Sequence, residues 1–162
     1  MYIKIPLLTA VMPAKTGSAF RRLNVHTLAE CLRGSGFRPR SRNKEGLVAF
    51  AAEPSPLEFI ARVDPAMILT SEKAYAQVWI GYRAPDRDLQ PSAQELDFEM
   101  GLEDITCSRI LDGRNGVHGG IFTQGYQIGV PASRDTETAL RQAVRYFVTY
   151  AHGRVSRRSQ EK

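Results

Sequence analysis

The chain has 162 residues, 43% hydrophobic and 24% charged, enough for about one globular domain and unlike a disordered segment. Its two cysteines, Cys31 and Cys107, are too few for a disulfide framework or a metal cage. No run approaches the roughly 20 apolar residues of a membrane helix.

The net charge of +5 hides a sorting by segment. Residues 1–44 carry nine Lys/Arg against one acid, a balance of +8. Residues 45–133 carry six bases against thirteen acids, and residues 134–162 seven against three, balances of −7 and +4. Such asymmetry bears on partners and association, not on fold.

In chain order, Ile3–Met12 is apolar but broken by Pro6, and without a small-residue cleavage site it reads as a first strand, not a secretory signal. A cytoplasmic protein is expected. Asn24 caps a helix over Val25–Arg33, with Val25, Leu28, Cys31 and Leu32 inward and Gly34 and Gly36 as its stop. Phe37–Lys44 reads as an exposed basic loop, because Pro39 and four alternating cations leave nothing to bury. Gly46–Ala52 follows as a strand.

Ser55–Val63 fits two patterns. Ser55-Pro56-Leu57-Glu58 matches a capping box with proline in the first helical turn, whereas Leu57, Phe59, Ala61 and Val63 alternate. The cap and proline favour a short helix, ended by Asp64-Pro65. Tyr75–Tyr82 is a strand rich in β-formers, followed by a polar loop over Pro85–Pro91. Leu96–Leu102 alternates with Glu95, Asp97, Glu99 and Glu103, as a half-buried strand with an acidic outer face would. Ile105–Leu111 and Gly120–Val130 are strands joined by a wide hairpin turn over Asp112–Gly119.

The last helix is expected over residues 136–152, with Asp135 as N-cap. Leu140, Ala143, Val144, Phe147, Val148 and Ala151 form its buried stripe, and Arg141 and Arg145 share the solvent side. His152 falls in its last turn and Gly153 beyond it, leaving residues 154–162 as a flexible basic tail. Together these elements predict one α+β domain over residues 1–153. It would hold a mostly antiparallel sheet of about five strands with two to three helices packed on it.

Tyr126-Gln127-Ile128-Gly129-Val130, followed by the Ala/Arg-rich helix from Asp135 to Val144, resembles the closing strand–helix unit of small phage-encoded α/β sandwich accessory proteins. The resemblance covers about 30 residues and implies a mobile-element accessory protein without enzymology. It carries over no functional residues.

Three function classes follow. No zinc-ligand spacing, phosphate loop, nucleophile elbow or dinucleotide fingerprint occurs, so no cofactor or metal is expected. A hydrolase or transferase would have to centre on His118, in the Gly-rich turn. Direct, sequence-tolerant nucleic-acid binding would use Arg38, Arg40, Arg42 and Lys44 with the basic tail. The favoured expectation is a non-enzymatic regulatory protein with that patch as one contact and Asp97, Glu99 and Glu103 as a second. Its partner would be a host protein complex that handles nucleic acid, which it would inhibit.

Overall fold

The computed structural model describes residues 20–52, 58–83, 105–110, 115–132 and 135–160. Their elements, in chain order, are β1 (Phe20–Arg22), α1 (Val25–Arg33), β2 (Phe37–Arg42), β3 (Val48–Ala52), β4 (Ile60–Val63) and β5 (Ala66–Leu69). They continue with β6 (Lys73–Arg83), β7 (Thr106–Arg109), β8 (Gly116–His118), β9 (Ile121–Pro131) and α2 (Thr136–Gln160). The expected strands at Ile3–Met12 and Leu96–Leu102 lie outside the described residues.

Two 11-residue strands form the spine. β6 and β9 pair antiparallel along their whole length, from Lys73 opposite Pro131 to Arg83 opposite Ile121. Each outer edge of this ribbon is taken by two short strands laid end to end. On β6 these are β4 and β5, one run of chain kinked at Asp64-Pro65. The Asp64 carboxylate accepts from the Ala66 N–H at 2.9 Å, and the Asp64 N–H donates to the Gln77 carbonyl at 3.0 Å, so the kink stays tied to the sheet. On β9 the pair is β7 and β8. Beyond β4 the sheet continues through β3 to β2, and beyond β5 to β1.

The class is therefore α+β with an antiparallel sheet, as expected, but the sheet is wider than five strands. Two helices occur among the described residues.

Two expectations fail for the same reason. Phe37–Arg42 is a strand, not a loop, and Ile60–Val63 is a strand, not the end of a helix. In the second case the alternation of buried Phe59, Ala61 and Val63 outweighs the local capping signal. In the first, a partner strand satisfies the backbone, and the side chains need not be apolar.

One sheet face holds the core. Ala74, Ala76, Val78, Ile80 and Tyr82 of β6 and Tyr126, Ile128 and Val130 of β9 point to it, as period two requires. α2 covers this face with the predicted stripe, and the Tyr126 and Phe147 rings meet at 4.8 Å. On the opposite face, Trp79 gathers a smaller cluster with Leu47 and Ile110.

α1 keeps its predicted bounds. Asn24 Oδ1 accepts from the N–H groups of His26 and Thr27 at 3.0 and 3.3 Å, leaving fewer orphan donors at the helix start. The N–H of Asn24 itself donates to Glu137 Oε1 at 3.0 Å, which joins the starts of the two helices.

The end of α2 differs. The helix runs through Gly153 to Gln160, and Val155, four residues after Ala151, extends the buried stripe by another turn. Burying a valine is worth roughly 1.5–3 kcal/mol, more than the ~1 kcal/mol that an interior glycine costs. The hairpin before β9 differs too. The chain pairs again from Gly116, and the turn tightens to Gly119-Gly120, whose φ angles of 61° and 79° suit a primed two-residue turn. Asn115 ties Ile110 to β9 by donating to the Ile110 carbonyl and accepting from the Gly125 N–H.

Candidate functional site

Among the described strands β2 stands at the edge of the sheet, and its side chains divide sharply. Phe37 is buried, in ring contact with Phe59 at 6.1 Å and with His152 at 5.5 Å. The five residues after it, Arg38 to Arg42, are all exposed. One hydrophobic anchor thus fixes the start of a strand whose remainder faces solvent.

The local sequence explains the shape of this edge. Pro39 has no N–H to offer, and the register slips between Pro39 and Ser41, leaving Arg40 as the extra residue of a bulge. Arg38 lies opposite Ala51, Ser41 opposite Ala49, and Arg42 opposite Val48. Because the neighbours on β3 are small or aliphatic, no acid on that strand faces the arginines. The strand then turns through Asn43, whose side-chain oxygen accepts from the N–H groups of Glu45 and Leu47 at 3.0 and 2.9 Å. Gly46, with φ 86°, closes the turn, and Lys44 is exposed within it.

The predicted quartet Arg38, Arg40, Arg42 and Lys44 therefore lies on one strand and the turn that follows it. At about 3.3 Å per residue, Arg38 to Arg42 spans roughly 13 Å. Other cations of the chain have acidic neighbours: Arg33 meets Glu30 at 2.6 Å, Arg83 meets Glu58 at 2.7 Å, and Arg141 meets Glu137 at 3.8 Å. Among the described residues, none of Arg40, Arg42 and Lys44 has a carboxylate within ion-pair distance. Cations and a proline on an edge also discourage another strand from pairing there. That role concerns the backbone and leaves the side-chain charge available.

Asp97, Glu99 and Glu103 lie outside the described residues, as does Glu95. His118 ends β8 opposite Ile121, beside the Gly119-Gly120 turn. The three histidines sit on separate elements: His26 in the first turn of α1, His118 on β8 and His152 within α2. His152 is not in a last helical turn. It lies against Phe37 and Phe59, with ring centroids 5.5 and 5.0 Å away, and burial lowers its pKa from the ordinary value of 6.5. No three His, Cys, Asp or Glu side chains cluster in a metal-binding arrangement among the described residues. Nor does any described helix have the length and apolar character to cross a membrane.

Sequence reasoning missed a trio, Ser35, Gln142 and Arg145, that the packing of the two helices brings together. Arg145 Nε donates to Ser35 Oγ at 2.8 Å, and its Nη1 donates to Gln142 Oε1 at 3.4 Å. The two partners of Arg145 lie 110 and three residues away, so only the second was open to a helical-spacing argument.

No family model, curated protein or solved structure matches this chain, and its function must be argued from its own geometry.

Proposed function

We propose that the chain is a non-catalytic accessory protein that holds the phosphate backbone of nucleic acid, without regard to sequence, through the β2 edge. The supporting observation is the line of exposed Arg38, Arg40 and Arg42 with Lys44, in which Arg40, Arg42 and Lys44 have no carboxylate partner among the described residues. Guanidinium groups bind phosphate oxygens in a forked, charge-assisted geometry. The bulge at Arg40 sets Arg38 and Arg42 on opposite faces of the sheet, so a phosphate backbone would run along the strand's edge with cations on either side of it. Arg154 and Arg157, late in α2, add positive charge to the molecule. The likeness of the last strand and helix to phage accessory proteins suits a mobile-element origin for such a protein.

The test is a gel-shift titration of the full chain against duplex and single-stranded oligonucleotides of unrelated sequence at several salt concentrations. Similar affinity across sequences, falling steeply with salt, supports the reading. An affinity that ignores ionic strength, or no shift at low salt, overturns it.

A second reading has its own support in the −7 balance of residues 45–133. An acidic surface there would dock on the cationic groove of a host protein that handles nucleic acid, and so inhibit it. Capture of such a partner after nuclease treatment, abolished by Asp97→Lys and Glu99→Lys together, distinguishes this reading from the first.

A further inference from the structure

α2 does not close fully on the sheet. Beside the end of β9 it leaves a cleft of about 600 Å3, within the roughly 300–1,000 Å3 range of small-molecule sites. The wall is mostly apolar: Ile105, Pro131 and Ala139 reach its surface, above the buried Val130 and Ala143.

The polar side chains of the cleft are Ser35, Gln142 and Arg145, with the hydroxyls of Tyr146 and Thr149. Ser35 and Gln142 both accept from the guanidinium, at Nε and Nη1, which favours one orientation of this exposed side chain. A guanidinium has five donors, and these two bonds leave the others available. No carboxylate among the described residues pairs with Arg145. Among the described residues, the cleft therefore combines an apolar wall with one cation, Arg145, that matches the fork of a carboxylate.

We infer that this cleft binds a small monocarboxylate with an aliphatic body. The body lies on Ile105, Pro131 and Ala139, and the carboxylate meets Arg145. One cation matches one negative charge, and the aliphatic surface of Ile105, Pro131 and Ala139 matches a saturated chain. The site is separate from the β2 edge and does not depend on the nucleic-acid reading.

Isothermal titration of the full chain with octanoate and with 1-octanol tests it directly. Octanoate should bind with one-to-one stoichiometry and at least about tenfold more tightly than the alcohol, the difference a charge-assisted contact supplies. Arg145→Gln should bring octanoate down to the affinity of octanol, while Ala139→Trp should abolish the binding of both. If Ala139→Trp does not fold, the acid–alcohol comparison in the native chain and the exposed Arg145→Gln change still decide the matter. Failure of octanoate to bind at about 1 mM, or equal affinity for acid and alcohol, would overturn the assignment.

Discussion

Tyr75 lies over Gly129, its register partner on β9, so closely that a methyl at position 129 would sit 2.8 Å from Cδ1 and Cε1 of the ring. The same methyl would lie 2.6 Å from Thr106 Oγ1 on the other flanking strand. Trp79 and Gly125 repeat the arrangement four residues away, with Trp79 Nε1 at 2.7 Å from a methyl at 125. In both pairs the aromatic side chain occupies the space above a residue that has none.

Gly129→Ala should therefore destabilise the protein by about 1–3 kcal/mol, because the crowding atoms include a ring carried by β6, which is paired with β5 on one side and β9 on the other. Gly125→Ala should behave alike. Urea unfolding gives the measurement, and unchanged midpoints for both variants would show that the rings move aside without cost.

Gly153 predicts the opposite sign. It lies inside α2, and a methyl there would meet nothing within 4 Å. Gly153→Ala should raise stability by about 0.5–1 kcal/mol through helix propensity and a less flexible unfolded chain. A thermal melt that moves downward would contradict the continuous helix.

The Asn24 cap should be worth about 1 kcal/mol, since its oxygen serves two N–H groups at the start of α1. Asn24→Ala should lose that amount in urea unfolding, whereas Asn24→Asp should retain most of it. Equal losses in the two variants would remove the capping role.

His152 predicts a pH dependence. Burial lowers its pKa in the folded chain below the ordinary 6.5, so on acidification the unfolded chain takes up this proton first. The stability that depends on neutral His152 is thus present above about pH 6.5 and is lost as pH falls through that value toward the folded pKa. Unfolding midpoints compared at about pH 7.5 and 5.5 should show a drop that His152→Phe diminishes. An identical drop in the variant would assign it to other groups.

Parts of this architecture were legible in the residues because local and tertiary signals agreed. α1 has a cap, a stripe and a glycine stop, and β6 and β9 alternate against a helix whose own stripe is unbroken. β2 was illegible because five of its six residues are exposed, so hydrophobic period carries no trace of it. Ile60–Val63 was misread because a capping box is a local signal that pairing with β3 and β6 overrides. The four cations of the β2 edge could be named from spacing, but their place on a sheet edge needed the strand order. The Ser35–Gln142–Arg145 trio depends on how α1 meets α2, which no periodicity encodes.

The most direct measurement is the salt dependence of oligonucleotide binding by the native chain and by the Arg40→Gln, Arg42→Gln double variant, followed by fluorescence anisotropy. Both side chains are exposed, so the variant should unfold at nearly the native temperature. If the β2 edge grips phosphates, the native chain should give a log–log slope of about −3 to −4 on duplex DNA, and the variant a slope shallower by about 2. Equal slopes for the two proteins would place any nucleic-acid contact elsewhere and contradict the central claim.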